Sequence, residues 1–131
     1  MLLEQDDVTL DTPDTEYGRT PLLWAVKNQH YGVVKMLLKR NDVNPDKADK
    51  WNQTPLLWAA NKGHEAIVKI LLERNDVNPD KMNDRRQAPL LWAANNGHEG
   101  IARMLLEQNN INPDIADMWN RTPLVGCHEW A

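Results

Sequence analysis

The sequence of 131 residues contains no phenylalanine and a single cysteine, Cys127. One cysteine excludes an internal disulfide framework and favours a reducing compartment. Apolar runs long enough to span a bilayer are missing, and the opening MLLEQDDVTL lacks the basic region and apolar core of a secretion signal. We therefore expect a soluble, intracellular, cytoplasmic protein with no membrane partner.

An excess of basic residues is missing as well. Lys and Arg number 15 against 19 Asp and Glu, which gives a formal net charge of -4 at pH 7. Because nucleic acids and anionic membranes require a basic face, we expect no nucleic-acid partner. Hydrophobic residues make up 41% of the chain and charged residues 26%, a balance typical of a globular domain.

What the sequence does contain is a repeat with a period of 34 residues. The stretch TPLLWA begins at Thr20 and again at Thr54, returns as APLLWA at Ala88, and starts a fourth time as TPL at Thr122. The segments VVKMLLKRNDVNPD, IVKILLERNDVNPD and IARMLLEQNNINPD repeat in phase with it. A fixed period in the range of about 20–50 residues indicates a solenoid or array.

Each unit has the pattern of two helices followed by an extended loop, which we call a finger. Thr54 suits the N-cap, Pro55 the first helical position, and Gly63 the left-handed residue that closes a helix. The segment IVKILL then has its apolar residues at helical spacing, with Lys69 and Glu73 facing outward. The Asn-Pro that follows breaks this second helix, so strand content should be slight.

These linked motifs resemble the ankyrin repeat family. Thr-Pro-Leu-x-x-Ala, Gly-His, the Ile-Val-x-x-Leu-Leu block and the Asp-Val-Asn tail cover the chain from about Tyr17 to Leu124. The Leu-Leu-Trp and Asn-Pro-Asp motifs are most similar to those of Trp-rich arrays at the end of large fungal multidomain proteins. The resemblance implies an all-α ankyrin-repeat solenoid of stacked helix–turn–helix units joined by finger loops.

We predict a single ankyrin-repeat domain over residues 1–131. Its units are a partial N-terminal unit at 1–15, complete repeats at 16–49, 50–83 and 84–117, and a partial C-terminal unit at 118–131.

Some residues depart from the family pattern. Leu23, Leu57 and Leu91 replace the usual His after Thr-Pro-Leu, so apolar contact must replace its hydrogen bond. The third repeat is the least regular, because Ala88 cannot cap a helix as Thr does. Arg86 also stands where Gly18 and Asn52 suit a turn with positive φ. We expect the finger around residues 85–88 to be the weakest.

The histidines favour structure over chemistry. His30, His64 and His98 each open a second helix at the same repeat position, so they lie on successive layers and do not converge. A metal or acid–base site requires convergence, and a capping role is favoured. The tripeptide CHE that begins at Cys127 offers a thiol and a base, but no third group that would orient them.

The segment DVNPD at residues 42–46 imitates the start of a calcium loop. Lys47 stands where that loop needs Gly, and Gln53 replaces its bidentate Glu, so an Asx turn is favoured. With no Gly-rich phosphate loop either, we expect no enzyme, no cofactor and no metal.

Tryptophan occurs in two rows with the same period. Trp24, Trp58 and Trp92 lie inside the first helices, where core or inter-repeat packing is favoured over exposed binding. The second row, Tyr17, Trp51, Arg85 and Trp119, lies at the finger tips. These residue types dominate binding hot spots, so recognition is slightly favoured over rings that lie flat on neighbouring fingers.

In the ankyrin family, finger tips and the adjoining first helices form the usual binding surface. That resemblance extends the tip row to a wider set of predicted partner-binding residues. They are Tyr17, Arg19, Lys27, Lys50, Trp51, Gln53, Lys62, Asp84, Arg85, Gln87, Met118, Trp119 and Arg121.

The resulting expectation is a non-catalytic module that binds an unidentified protein through its finger tips and concave face. The alternative is a structural element that self-assembles. Repeat arrays bury each unit on its neighbour and need polar caps at their ends. The partial units at both ends are interpreted either as the result of cutting a piece from a longer array, which is favoured, or as apolar faces left open for homo-association.

Overall fold

The computed structural model describes residues 10–108 and 111–112. Within them the chain forms three pairs of α-helices and no β-strand, which confirms the predicted all-α repeat fold. Equivalent helices start 34 residues apart, as the sequence period requires. The helices are α1 (Pro21–Lys27), α2 (Tyr31–Leu38), α3 (Pro55–Lys62), α4 (Glu65–Leu72), α5 (Pro89–Asn95) and α6 (Glu99–Leu106).

The helices stack in two rows. Helix α3 packs between α1 and α5 in the inner row, and α4 packs between α2 and α6 in the outer row. Leu23, Leu57 and Leu91 are 0%, 0% and 5% exposed, so apolar burial does replace the hydrogen bond of the family's usual His. Each such leucine stabilises the stack by about 1.5–3 kcal/mol relative to an exposed one.

The inner helices begin as the threonines predict. The Leu57 N–H donates to Thr54 Oγ1 at 3.1 Å, and the Leu23 N–H donates to Thr20 Oγ1 at 3.2 Å. Ala88 occupies the same extended position before α5 but makes no such bond. Because a threonine cap contributes about 1 kcal/mol, the third repeat starts its inner helix at a disadvantage.

A residue in the left-handed region follows each inner helix. Gly63 has φ 78° and Gly97 has φ 72°, as predicted, whereas Gln29 adopts φ 59° at the matching place in the first repeat. At Gly63 the missing side chain also makes room for a neighbour, because a Cβ there would lie 2.7 Å from Cε1 of His98.

The histidines occupy the predicted N-cap positions, but the prediction of a capping role fails. His30, His64 and His98 make no side-chain hydrogen bond to the start of α2, α4 or α6. His98 Nε2 instead lies 3.3 Å from the carbonyl oxygen of Asn61, one repeat earlier. His64 Nε2 is buried without a hydrogen-bond partner among the described residues. Burial, followed by repulsion from Lys62, lowers the pKa of His64.

The segments after the outer helices form the predicted Asx turns. Asn44 Oδ1 accepts from the Asp46 N–H at 2.9 Å, and Asn78 Oδ1 accepts from the Asp80 N–H at 3.0 Å. Asp46 Oδ2 also accepts from the Asn78 N–H at 2.7 Å, which ties one repeat to the next. Burial raises the pKa of Asp46. These carboxylates are therefore occupied in joining repeats.

Candidate partner-binding surface

The fingers that precede the inner helices are closed loops at residues 14–19, 49–53 and 83–87, which we number one to three. In finger two the Asp49 N–H donates to the Gln53 carbonyl at 3.1 Å, and the matching bonds in fingers one and three measure 2.9 and 3.1 Å. Finger one is one residue longer than the other two. Each finger is thus closed by its own backbone.

Backbone hydrogen bonds also join the fingers to one another. The Lys50 N–H donates to the Tyr17 carbonyl at 3.1 Å, and the Asp84 N–H donates to the Trp51 carbonyl at 3.2 Å. The tip residues of the three fingers are consequently held in a fixed row.

The finger turns use the predicted positive φ. Gly18, Asn52 and Arg86 have φ of 67°, 60° and 62°. Gly adopts this conformation without strain and Asn does so at small cost, but for a residue such as Arg it costs about 1–2 kcal/mol. Arg86 therefore marks a strained turn in finger three.

Asp49 organises finger two, a role that sequence reasoning missed. Its Oδ1 accepts from the N–H groups of Trp51 and Gln53, both at 2.9 Å. Its Oδ2 accepts from the indole Nε1–H of Trp58 at 3.3 Å. One buried carboxylate thus holds both the loop and the tryptophan of the following helix.

Asp14 repeats this arrangement in finger one. Its carboxylate accepts from the Tyr17 N–H at 2.7 Å and from the Trp24 indole at 2.7 Å. The hydrogen bond from the Tyr17 N–H, more than that from Trp24, holds the pKa of Asp14 below its ordinary value. The signal that could have identified both residues is an Asp five or six positions before the capping threonine.

Finger three carries Asn83 in place of the aspartate. Asn83 Oδ1 still accepts from the N–H groups of Arg85 and Gln87, at 2.9 and 3.0 Å. Its Nδ2 donates to Gln53 Oε1 and Gln87 Oε1, at 2.8 and 2.9 Å. An amide nitrogen cannot accept a hydrogen bond. The Trp92 Nε1–H is accordingly buried without a partner in the described part of the chain.

The tryptophans of the inner helices are neither core nor surface residues. Trp24, Trp58 and Trp92 are all half-buried. Trp58 and Trp92 pack one side against the core while also lining a groove on the surface. The predicted inter-repeat packing thus buries only part of the surface of each ring.

Arg19 lies among these rings. Its guanidinium carbon is 4.4 Å from the centroid of Tyr17, 5.0 Å from that of Trp24 and 5.2 Å from that of Trp58. Arg19 is 9% exposed, and its Nε lies 4.0 Å from Asp49 Oδ2. Such cation–π contacts stabilise by about 0.5–2 kcal/mol. Arg19 therefore links the first two repeats from inside.

Two lysines lie over the same rings from the inner helices. Lys27 Nζ is 5.5 Å from the centroid of Trp24 and 6.0 Å from that of Trp58. Lys62 Nζ is 5.8 Å from the centroid of Trp58. Trp58 is consequently surrounded by three cations, counting Arg19.

A groove of about 340 Å³ opens between fingers two and three and the tryptophans of α3 and α5. This volume lies at the lower end of the range of about 300–1,000 Å³ that ligand-binding pockets occupy. Trp58 and Trp92 line one wall. Six of the predicted partner-binding residues also line the groove, namely Arg19, Trp51, Gln53, Asp84, Arg85 and Gln87.

The predicted partner-binding residues differ in exposure. Arg19 and Gln87 are predicted to bind a partner, but they are only 9% and 4% exposed. Arg19 is enclosed by aromatic rings, and the Gln87 side chain bonds Asn83. Met118, Trp119 and Arg121 lie outside the described residues. Tyr17, Lys27 and Gln53 are half-buried, and Lys50, Trp51, Lys62, Asp84 and Arg85 are exposed.

The described residues contain neither a metal-ion cluster nor a membrane-spanning helix. No group of three or more His, Cys, Asp or Glu side chains in residues 10–108 and 111–112 could hold a metal ion. Over the same residues, every helix is too short or too polar to cross a bilayer.

Helix pairs stacked at a fixed period and joined by interlocking fingers define a helical repeat solenoid. The family model described as Ankyrin repeats (3 copies) matches residues 40–117, and that described as Ankyrin repeat matches residues 17–50. The chain belongs to the ankyrin repeat family, whose members are generally non-catalytic modules that bind other proteins. A comparison with curated proteins finds no significant match. The finer likeness to fungal arrays stays a prediction.

Proposed function

We propose that this chain is a non-catalytic, cytoplasmic module that binds one partner protein through its finger tips and the adjoining side of α1, α3 and α5, which together we call the inner surface. The observation that supports this most directly is the groove, whose walls bring exposed finger residues and half-buried tryptophans together. Because backbone hydrogen bonds fix the fingers, few groups lose freedom on binding, and this limits the entropic cost.

Trp51 is the side chain on which we expect binding to depend most. Its ring is 6.3 Å from that of Tyr17, so it does lean on the neighbouring finger, yet 49% of the residue remains exposed. An exposed tryptophan beside a groove is typical of a binding hot spot, where truncation costs about 2 kcal/mol or more.

Affinity capture from a cell extract tests this function with a matched pair of variants. Tyr17→Ala/Trp51→Ala removes aromatic rings from the finger tips. Tyr31→Ala/Met36→Ala removes apolar side chains from α2, where the residues are 43% and 60% exposed. Both variants are first checked for unchanged helicity by circular dichroism. We expect a specific protein to be lost with the finger variant and retained with the α2 variant.

Binding at the inner surface would be contradicted if the captured protein were lost with the α2 variant and retained with the finger variant. It would also be contradicted if both variants retained the protein.

Self-assembly is the second candidate, and the outer face of α2 favours it. Val33 is 47% exposed, whereas Ile67, one repeat later in the same position, is 1% exposed. Helix α2 packs against α4 and covers Ile67, but the described residues contain no preceding helix that covers Val33 in the same way. Two copies meeting through this face would form a closed, two-fold dimer. Sedimentation velocity over a range of concentrations should then show a dimer that Val33→Lys/Met36→Lys abolishes, and a constant monomer would exclude it.

A further inference from the structure

The two tryptophans that line the groove, Trp58 and Trp92, differ in the cations that lie over their rings. Residues that lie over Trp58 include Arg19 and Lys27. One repeat later, around Trp92, the matching positions hold Gln53 and Asn61, which carry no charge. The face of Trp92 that lines the groove thus lacks the cations found over the previous ring.

The two lysines over Trp58, which lie beside the groove and are not part of its lining, have no carboxylate partner within the described residues. Lys27 Nζ and Lys62 Nζ are 6.0 and 5.8 Å from the Trp58 centroid, and neither forms an ion pair there. Arg19, beside the same ring, lies 4.0 Å from the carboxylate of Asp49, so the charges without an ion pair are those of the two lysines. Two like charges near one ring repel one another, and a negative group placed between them would relieve that repulsion.

Two buried donors of residues that line the groove make no hydrogen bond in the described part of the chain. They are Trp92 Nε1 and Arg19 Nε, and Arg19 Nε has only the longer 4.0 Å ion pair with Asp49. In the first two repeats the matching indoles donate to the carboxylates of Asp14 and Asp49. Carboxylate is consequently the chemistry that this framework already uses beside its tryptophans.

We propose that the groove binds an acidic segment of the partner protein. A carboxylate of that segment lies between Lys27 and Lys62, and a neighbouring apolar side chain rests against Trp51 and Trp92. The inference rests on the proposed function and specifies the partner's chemistry. Charge complementarity supports it, because the exposed charged residues of the predicted surface are mostly cationic while the whole chain carries -4.

Single-stranded RNA also combines negative charge with flat rings, and it can bind aromatic and basic surfaces. A protein of net charge -4 repels a polyanion at longer range, whereas a short acidic segment carries its charge only at the groove. The observations therefore favour the acidic segment, and RNA becomes an outcome of the test.

The test measures binding of fluorescein-labelled peptides by fluorescence anisotropy. The probe is a short peptide that alternates Glu with Leu and Trp, and two further versions carry Gln or Lys in place of Glu. We expect the Glu peptide to bind most tightly and Lys27→Gln/Lys62→Gln to weaken it about tenfold. Lys35→Gln/Lys39→Gln on α2 removes the same charge from exposed residues elsewhere and should leave the affinity unchanged.

The inference is overturned if the Glu peptide does not bind, if the Gln or Lys peptide binds as tightly, or if both lysine pairs have the same effect. It is also overturned if a single-stranded RNA oligonucleotide binds more tightly than the Glu peptide through Lys27 and Lys62. A captured protein that needs Trp51 but binds through a neutral segment would contradict this inference alone. Capture that is insensitive to Trp51 would instead contradict the proposed function.

Discussion

Fingers two and three have the same backbone but differ at the positions that should stabilise it. Both close through a 3.1 Å hydrogen bond between their first and last residues, and both turns use a positive φ. Neighbouring repeats therefore impose the conformation even where the local sequence does not favour it. The differences are Asn83 in place of Asp49, Arg86 in place of Asn52, and Ala88 in place of Thr54.

Fingers two and three also differ in how the tryptophan of the following helix is hydrogen-bonded. In finger two a buried carboxylate accepts from the indole N–H of Trp58, whereas the Trp92 N–H beside finger three has no partner among the residues that the structure describes. An unsatisfied buried donor costs about 1–3 kcal/mol. Finger three is consequently the less stable loop, and it forms one wall of the groove that we propose as the binding site.

The largest effect is expected when finger two is given the residue of finger three. Asp49→Asn keeps an oxygen for the loop but places an amide nitrogen toward the Trp58 N–H and Arg19. We expect the free energy of unfolding to fall by about 1–3 kcal/mol. Urea denaturation followed by circular dichroism measures it. Asp84→Asn, an exposed change on the next finger, is the control, and equal losses in both variants would contradict the role of Asp49.

A smaller effect is expected from exchanging the helix caps. Thr54→Ala leaves the Leu57 N–H without its acceptor and should lower the free energy of unfolding by about 1 kcal/mol, whereas Ala88→Thr should raise it by a similar amount. Thermal and urea unfolding of the two variants give the comparison. If Ala88→Thr destabilises the protein, the third repeat cannot accept the cap that its backbone geometry indicates.

The turn of finger three offers a third exchange. Arg86→Gly removes the strain of a positive φ, but it also increases the freedom of the unfolded chain. The net gain should be about 0.5–1 kcal/mol in urea unfolding. Arg85→Gly, at the adjacent tip position, relieves no such strain and should not stabilise the protein. Equal gains from both variants would show that Arg86 is unstrained.

The smallest effect concerns the pH dependence of finger one. Hydrogen bonds lower the pKa of Asp14 in the folded state. Its stabilising contribution is therefore present above the ordinary aspartate pKa of about 4 and is lost as pH falls through the lower folded value. The stability difference between the natural chain and Asp14→Asn should shrink as pH is lowered into that range. A difference that is constant or grows toward acid would contradict this assignment.

Much of the fold is predictable because the same helix signals occur in each of the repeats. The spacing from Thr20 to Thr54 gave the helix starts, and Gly63 gave a helix end, since both depend on local backbone chemistry. The burial of Leu57 also followed from its place in the apolar pattern. Such features are properties of one unit and need no knowledge of its neighbours.

The parts that were not predicted depend on contacts between units. The family resemblance predicts Arg19 as a partner-binding residue, but its side chain is enclosed by rings of its own repeat and of the next one. The role of Asp49 is missed because one of its partners, the Trp58 indole, lies nine residues away, beyond the start of the following helix. The position of the histidines before the outer helices predicts a capping role. The observed contact of His98 with Asn61 crosses between repeats, so the pattern of one unit does not reveal it. Periodicity alone does not specify these side-chain contacts.

The most direct test of the account is an NMR titration of the labelled chain with the protein that it captures. The indole N–H signals of Trp51 and Trp92 report on the inner surface, and the methyl signal of Met36, which is 60% exposed, reports on the outer face of α2. The account predicts that both indole signals shift on binding while the Met36 methyl does not. A shift of Met36 with unchanged indoles would contradict recognition at the inner surface and place the partner on the outer helices.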